Sequence, residues 1–216
     1  GRWVVILTSG YNNVRSPAGS GDGLGYVYVL KAATGELLYK LATTAGDAST
    51  PSGLAQINNY VSNARFDNST KRVYGTDVSG HVWMFDVNDS VSPSGREANL
   101  LGTTKTAAGE VQSITVRPEL AELGGKAWVF VGTGRLLGAS DLDPALATTT
   151  RTQSVYGFID FLTHPDSDDP LIAPVDNLHS VLRPLAITYD GSNRVSTAGS
   201  CVADSSAPKR CNVDDN

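Results

Sequence analysis

The run HPDSDDP at 164–170 places three carboxylates close together: Asp166, Asp168 and Asp169. Carboxylate oxygens are preferred calcium ligands, and calcium needs about six to eight oxygens around it. The run has no glycine turn and no distal glutamate that would complete such a ligand set. We therefore predict a solvated loop here, with a calcium site as the alternative.

Three histidines could bind a metal or transfer protons: His81, His164 and His179. They are widely separated, whereas zinc sites normally combine close pairs of ligands. His81 lies in an apolar run beside Val82, where a structural or strand-edge role is expected. A Ser-His-Asp triad assembles in space and stays open at this point, but the sequence has no G-x-S-x-G motif, so hydrolase activity is not predicted.

The glycine-rich segment GSGDGLG at 19–25 could be compared with a phosphate-binding loop. It lacks the G-x-G-x-x-G spacing, and an apolar run typical of a strand follows it. The pair Gly125-Lys126 continues into Ala127 rather than into Ser or Thr, so it is not a P-loop. We predict a flexible hairpin loop at 19–25 and no nucleotide binding.

Length and composition exclude several further classes of protein. The 216 residues are 40% hydrophobic and 18% charged, which is enough for a packed core and excludes a disordered chain. The formal net charge of −5 gives no general attraction to nucleic acid. No stretch approaches the roughly 18 apolar residues of a membrane-spanning helix, so neither nucleic acid nor membrane insertion is predicted. Because the chain does not begin with Met, we expect a cut-down or processed piece.

Short apolar runs of two kinds recur along the chain. The first kind follows Gly or Ser and ends before Lys or Asp: YVYVL at 26–30, HVWMF at 81–85 and VYGFI at 155–159. The second kind precedes each of these, at 2–10, 71–77 and 126–135. β-Branched and aromatic runs bounded by turn residues predict strands. The DVSG connection at 77–80 predicts a tight hairpin, whereas the connections at 11–24 and 136–153 are long.

Weaker strands are predicted at 52–58, 99–104 and 113–120, which gives repeated series of short antiparallel strands. Four-stranded units that stack on their neighbours are typical of β-propeller blades. An immunoglobulin-like sandwich is the alternative, but it predicts no internal repeat. We therefore predict an all-β fold: a modified β-propeller with long loop insertions, of which about three to four blades lie in this chain. Residues 1–216 are expected to form part of a single such domain.

Other elements are minor. Residues 117–123 could form a helical turn, and 142–149 could form a short helix that Asp141 and Asp143 cap. Residues 190–216 have few large apolar side chains and are expected to be a surface loop or tail. The tryptophans recur at similar places in their runs, so we expect packing between blades rather than a sugar-binding platform; they are Trp3, Trp83 and Trp128.

Several segments, in the same order, resemble the C-terminal propeller domain of the PilC/PilY family over about residues 3–161. They are GDGLGYVYVLKAATGELLYKL at 21–41, SGLAQIN at 52–58, DNSTKRVYGTDVSGHVWMFDV at 67–87, ITVRPELAEL at 114–123, VFVGTGRLLGASDL at 129–142 and TQSVYGFID at 152–160. The ATGELLY segment also occurs in quinoprotein dehydrogenase propellers. The VYGTDVSGHVWMFD segment and the last two together are more specific.

The family comprises assembly factors and adhesins associated with the tip of type IV pili. The resemblance implies a propeller without enzymatic activity, exported through the periplasm of a Gram-negative bacterium to the cell surface, at the pilus tip or outer membrane. It implies pilins or other pilus machinery proteins as partners, a host-surface receptor for adhesion, and roles in pilus extension and twitching motility. Recognition is expected on the loops at 11–24, 136–153 and 161–180, because loops on a rigid scaffold usually carry it.

The family often carries a calcium loop just before the strand that RVYGTD matches. In this chain the stretch offers one carboxylate and no D-x-D-x-D alternation; its polar residues are Asn58, Asn59, Asn63, Asp67 and Asn68. The local ligand pattern therefore does not support calcium. We predict that these side chains cap turns and that the chain holds no metal or cofactor.

Cys201 and Cys211 enclose a short polar loop. Export implies an oxidising compartment, where a disulfide between them is expected and would contribute on the order of 2–3 kcal/mol. Two reduced thiols and a pair of metal ligands are the alternatives, and no further Cys or His lies nearby to complete a metal site.

Two other functions compete with the pilus module. A quinoprotein dehydrogenase would need a quinone and a calcium site lined by Glu, Asn and Asp, and no such set can be assembled from the sequence. A carbohydrate-binding adhesin is the other alternative.

Overall fold

The computed structural model describes residues 2–14, 21–61, 64–88, 97–142, 152–163 and 174–182, and the backbone of two further strands at 186–189 and 195–198. This part of the chain is almost entirely strand. Its short helical pieces are the 3-10 turn Ala139–Asp141 and α1, Leu178–Val181. The strands are β1 Val4–Thr8, β2 Tyr26–Lys31, β3 Leu37–Ala42, β4 Ile57–Tyr60, β5 Arg72–Thr76, β6 His81–Asp86, β7 Ala98–Thr103, β8 Glu119–Leu123, β9 Lys126–Gly132, β10 Val155–Ile159, β11 Ala186–Tyr189 and β12 Val195–Ala198.

The strands form antiparallel sheets in chain order. The first sheet is β1-β2-β3, the second is β4-β5-β6-β7, the third is β8-β9-β10, and β11 pairs with β12. Both kinds of repeated run are confirmed as paired strands, and the tight β5–β6 hairpin is confirmed as well. The predicted strand at 99–104 corresponds to β7, whereas that at 52–58 begins later, as β4.

The first two sheets share one pairing register. Thr8 lies opposite Val27 in the first sheet, and Thr76 lies opposite Val82 in the second. Each of the partners Val27 and Val82 is the second residue after the Gly that opens its run. The third sheet also repeats the pairing of β4 with β5 in that of β8 with β9. The sheets are therefore repeats of one blade.

Apolar side chains pack between neighbouring sheets. β6 is buried on both faces: Val82 and Met84 join the core shared with the third sheet, whereas Trp83 and Phe85 join the core shared with the first. Alternate residues of a strand point to opposite faces, so the continuous apolar run HVWMF fits a strand between two layers. This stacking is the reason for the blade repeat in the sequence.

Residues 117–123 form a strand, so the predicted helical turn was wrong. β8 pairs with β9 through a two-residue turn at Gly124 and Gly125, whose φ angles are 59° and 73°. Two consecutive positive φ angles are what a tight type I′ hairpin requires. The predicted strand at 113–120 is also displaced, since Ile114 makes only an isolated bridge to Gly134 before β8 begins.

The tryptophans do not lie in equivalent environments. Trp83 is fully buried between sheets, as predicted, but Trp3 is 90% exposed. Trp128 is half-buried and stacks on Phe130 with ring centroids 6.1 Å apart. Trp3 lies before the first residue of an edge strand, where no described sheet covers it, so the packing prediction was wrong for that residue.

Some predictions fall on residues outside the described part of the chain. These are the helix after Leu142 with its cap Asp143, the acidic run at 164–170 with His164, residue Asn63, and the pair Cys201 and Cys211. Within 190–216, which was expected to be a loop or tail, β12 forms a strand. Among the helices of the described residues, none is long and apolar enough to cross a membrane.

Candidate binding cleft

An open cleft of about 960 Å³ lies between the first sheet and the loop that precedes β5. Its apolar lining includes Ile6, Val29 and Leu38 of the first sheet. Its polar lining comes from Asp67–Thr70 and Asn88 of the second sheet's loops. The wall from the first sheet is thus mainly apolar, with Arg2 as its charged member, and the wall from the second is mainly polar, with Phe66 and Val87 as its apolar members.

Two aromatic side chains line the same cleft. Trp3 is 90% exposed and Phe66 is 79% exposed, which makes them the most exposed of the large hydrophobic residues in the described part of the chain. The Arg65 guanidinium lies 5.4 Å from the centroid of the Phe66 ring. Exposed aromatic faces beside amide and carboxylate groups can bind a ligand that has both apolar faces and polar edges.

The loop that forms the polar wall is held by Asp67. One carboxylate oxygen, Oδ1, accepts a hydrogen bond from the Ser69 backbone N–H at 2.8 Å, and Oδ2 accepts one from Lys71 Nζ at 3.2 Å. These bonds from Ser69 and then Lys71 lower the pKa of Asp67 to about 2. The carboxylate is therefore ionised at neutral pH and stays fixed in its turn.

The other polar residues proposed near this loop also make local bonds. Asn58 Nδ2 donates to the Pro118 carbonyl at 2.9 Å, and its Oδ1 accepts from the Asn59 backbone N–H at 3.0 Å. Asn68 lines the cleft. Asp67 caps a turn, as predicted, whereas Asn58 lies in β4 and bonds to a distant carbonyl, so the turn-capping prediction was wrong for that residue. Among the described residues, no group of three or more His, Cys, Asp and Glu side chains is placed to hold a metal ion.

We expect no heat of calcium binding when the chelator-treated protein is titrated with calcium chloride in a calorimeter. Asp67 is the single carboxylate in its stretch, and both of its oxygens already accept hydrogen bonds. Asp47→Ala is the matched control, since Asp47 is an exposed turn aspartate that accepts from the Ser49 and Thr50 N–H groups. Tight binding that Asp67→Ala abolishes and Asp47→Ala preserves would contradict the prediction.

His81 belongs to a hydrogen-bonded network at the β5–β6 hairpin. Asp77 is fully buried and its Oδ1 accepts from the backbone N–H groups of Ser79 and His81, at 2.9 and 3.0 Å. Its Oδ2 lies 2.8 Å from His81 Nδ1 and accepts from Trp83 Nε1 at 2.8 Å. The structural role expected for His81 is confirmed, and the residue that sequence reasoning missed is Asp77. The turn sequence DVSGH, in which Asp77 precedes Ser79 and Gly80, is the signal that could have identified this residue.

A second network joins the second and third sheets. Arg72 Nη1 donates to Asp160 Oδ2 at 3.1 Å, and the Tyr74 hydroxyl donates to the same oxygen. The Arg72 guanidinium also lies 4.6 Å from the ring centroid of Tyr60. Burial, and then the Asp160 charge, raise the pKa of Tyr74 far above its usual range. Sequence reasoning missed this ion pair because its members are 88 residues apart.

The loop after β9 is fixed by Asp141. Its Oδ2 accepts from the backbone N–H groups of Leu137 and Gly138, at 2.7 and 3.1 Å, and Oδ1 lies 3.1 Å from Arg135 Nε. Asp141 thus caps the short 3-10 turn, whereas the helix that it was predicted to cap lies outside the described residues. Three leucines of this loop are exposed: Leu136, Leu137 and Leu142. A fixed loop therefore presents apolar side chains to solvent.

The described part of the glycine-rich segment is packed. Gly23 has φ +81°, and a Cβ there would lie 1.8 Å from the Asp47 carbonyl oxygen. Asn13 Nδ2 donates to the Leu24 carbonyl at 2.9 Å. β2 follows directly, as predicted, and so the segment serves as a connection between strands.

The disulfide between Cys201 and Cys211 stays a prediction, and intact mass spectrometry tests it. We expect the unreduced protein to be lighter than the reduced protein by two hydrogens, and to take up no iodoacetamide before reduction. Export into an oxidising compartment is the reason. Labelling of both cysteines without reductant would contradict it.

Comparison with known proteins agrees with this architecture. The PilY1 beta-propeller domain family matches residues 1–168. The type IV pilus biogenesis factor PilY1 homolog of Xylella fastidiosa is 29% identical over 162 residues, which are 74% of this chain and 11% of that protein. The crystal structure of the Pseudomonas aeruginosa PilY1 C-terminal domain gives a TM-score of 0.56 at 24% identity, covering 74% of this chain and 34% of that one.

Repeated antiparallel sheets that stack through apolar cores define the chain as part of an all-β propeller. The chain belongs to the PilY1 β-propeller domain family, because the family matches residues 1–168 of the 216. Both the predicted fold class and the predicted family resemblance are confirmed. The chain spans 11% of the length of the curated relative.

Proposed function

We propose that this chain is part of a non-catalytic module of type IV pilus biogenesis and adhesion. In this proposal it is exported through the periplasm and displayed at the pilus tip or outer membrane, where it supports pilus extension and surface attachment. The observation that carries the proposal is the family membership over residues 1–168. The curated relative, which is named as a pilus biogenesis factor, supports it.

A binding role fits the described chemistry better than catalysis. The Asp77 carboxylate accepts hydrogen bonds that close a hairpin, and the Asp160 carboxylate is buried in an ion pair between sheets. The first group therefore holds one hairpin closed, and the second holds two sheets together. The features left open to a partner are the aromatic cleft and the exposed loops.

The loop after β9 is the surface that we assign to a pilin or another pilus machinery protein. Leu136 and Leu142 are 64% and 72% exposed, on a loop that Asp141 holds in place. Apolar side chains on a rigid loop can bind a partner without a large ordering cost.

Deletion of the gene that encodes this chain, followed by complementation, tests the function. We expect deletion to reduce surface pili, measured by immunoblot of sheared pilin, and the wild-type gene to restore them. The double variant Leu136→Ser/Leu142→Ser should restore far fewer pili. Leu37→Ser is the matched control, since Leu37 is 52% exposed on β3.

The two parts of the proposal fail separately. Unchanged surface pili after deletion would overturn the pilus function. Full restoration by the double leucine variant, in a strain where deletion does remove pili, would overturn the role of this loop alone.

One observation favours a carbohydrate-binding role as the second candidate function. Trp3 and Phe66 line one cleft beside the polar side chains of Asp67 and Asn68. Aromatic rings can stack on the apolar faces of a sugar while amide and carboxylate groups bond to its hydroxyls. A glycan array gives the test: binding that Trp3→Ala removes would support this candidate, and an array without any bound glycan would reject it.

A further inference from the structure

Residues 174–182, which we call the strap, lie along an end strand of the second sheet. The Thr103 backbone N–H donates to the Val175 carbonyl, and the Val175 N–H donates to the Leu101 carbonyl, both at 3.0 Å. Val175 thus forms a parallel bridge with Gly102. β7 stands at the end of its sheet, and the backbone groups of an end strand can pair with another segment. The strap therefore occupies an edge at which this sheet could be extended.

Leu178 of the strap fills a socket that depends on Gly102. Leu178 is fully buried and belongs to the core between the second and third sheets. A Cβ at position 102 would lie 2.8 Å from Leu178 Cδ2 and 3.1 Å from the Val175 carbonyl oxygen. A side chain there would press on both the leucine and the strap backbone, so glycine keeps the socket open. The edge of β7 is therefore a groove shaped for a segment with a leucine three residues after its bridging residue.

The groove also carries a cation. Lys105 Nζ lies 2.8 Å from Asp176 Oδ1, and Asn177 Nδ2 donates to the Thr106 carbonyl at 3.4 Å. The lysine side chain is 20% exposed and that of Asp176 is 91% exposed. The lysine is therefore part of the groove wall, and the carboxylate approaches it from solvent. Backbone groups, a leucine socket and an ammonium group together can recognise a protein segment that carries an acidic residue.

The strap is held less firmly than the strands that it touches. β7 pairs with β6 along its length, whereas the strap bridges to β7 through Val175. An ion pair with an exposed carboxylate contributes little to stability, and the 3.4 Å bond from Asn177 is long. Docking must also offset the conformational entropy of the ordered segment. Segments with few backbone bonds open while the rest of a protein stays folded, so the strap can leave the groove with both sheets intact.

We propose that the strap is a releasable occupant of a segment-binding groove on β7, and that it inhibits binding of a partner protein while it is docked. After release, the groove accepts a partner segment with the strap's own pattern: an apolar residue, then an acidic residue, then a leucine two positions later. The apolar residue takes the backbone bonds of Val175, the acid pairs with Lys105, and the leucine enters the socket at Gly102. The groove residues are distinct from those of the loop after β9, so failure of this proposal would leave the role of that loop untouched.

A labelled peptide with the sequence of residues 174–182, PVDNLHSVL, tests the groove. The full 216-residue chain is the binding partner, and fluorescence anisotropy measures the dissociation constant. Leu178→Ala should loosen the strap and leave the groove intact. We expect this variant to bind the peptide about tenfold or more tightly than the wild type, because apparent affinity rises with the fraction of open groove. A peptide in which alanine replaces the leucine should bind to neither protein.

Glycine substitutions distinguish the groove from other surfaces. Gly102→Ala, added to Leu178→Ala, should abolish peptide binding because the new Cβ fills the socket. Gly132→Ala is the matched control: Gly132 lies in β9, and a Cβ there would meet Val116 Cγ2 at 4.0 Å, an ordinary contact. Equal loss of binding with the two glycine substitutions, or undiminished binding by Gly102→Ala/Leu178→Ala, would overturn the proposal.

Hydrogen exchange tests release of the strap and also shows that the variants are folded. We expect the Thr103 amide, which donates to Val175, to exchange much faster than the Met84 amide of the central strand β6. Leu178→Ala should accelerate exchange at Thr103 about tenfold or more and leave Met84 unchanged. Exchange of both amides at one rate would show that the strap leaves only when the sheets unfold. That result, or a failure of Leu178→Ala to bind the peptide, would contradict the proposal.

Discussion

Arg72→Leu is expected to lower the free energy of unfolding by about 3–5 kcal/mol. The side chains of Arg72 and Asp160 are 8% and 0% exposed, and their charged atoms are 3.1 Å apart. Removal of the guanidinium leaves the buried Asp160 carboxyl group without its ionic partner, and its remaining donors, the Tyr74 hydroxyl and the Leu162 backbone N–H, are uncharged. Urea denaturation followed by tryptophan fluorescence measures the loss.

The double variant Arg72→Leu/Asp160→Leu separates the cost of an unpaired charge from the value of the pair. We expect it to be more stable than Arg72→Leu alone, because apolar residues can replace a buried ion pair at little cost. Lys31→Ala is the exposed control: its pair with Glu36 spans 3.9 Å, with side chains 48% and 65% exposed, so a change of about 0–1 kcal/mol is expected. A loss below about 1 kcal/mol for Arg72→Leu would show that the pair does not hold the sheets together.

Asp77→Ala is expected to cost about 3 kcal/mol or more, because several donors would lose their acceptor together. Two backbone N–H groups, the Trp83 indole and the His81 ring all meet this fully buried carboxylate. The same denaturation experiment measures the effect, and Trp83 is itself the reporter at the site.

Asp67→Ala is the control for this prediction. Asp67 also accepts a hydrogen bond from a backbone N–H two residues later, that of Ser69, but it lies on an exposed turn. Removal of the Asp67 carboxylate should therefore leave the urea midpoint nearly unchanged. Equal urea midpoints for Asp77→Ala and Asp67→Ala would show that burial of the carboxylate does not determine how much stability is lost.

The strands that bury both faces could be predicted because their apolar runs are continuous and bounded by turn residues. HVWMF and YVYVL are examples, and each forms a central strand of its sheet. β8 could not be predicted in the same way, since RPELAEL is rich in residues that favour helices. Its strand conformation comes from pairing with β9 across Gly124 and Gly125, and tertiary pairing outweighs a weak local preference.

The cleft and the buried ion pair depend on contacts between distant parts of the chain. Phe66 lies in a short turn whose sequence has no periodicity, and it joins Trp3 only because two sheets stack. Likewise, Arg72 and Asp160 stand at strand ends and meet only across the stack. Residue types and spacing therefore do not predict these contacts, which depend on how neighbouring sheets stack.

The division of β6 between two cores means that the two blade contacts can be altered independently. A change at Met84 acts on the contact with the third sheet, and a change at Phe85, the next residue, acts on the contact with the first. Stability in such a stack is approximately a sum of terms for each unit and each neighbouring pair. A substitution that weakens one contact therefore leaves the other nearly intact. The chain can thus tolerate many substitutions in one blade while its neighbours stay folded.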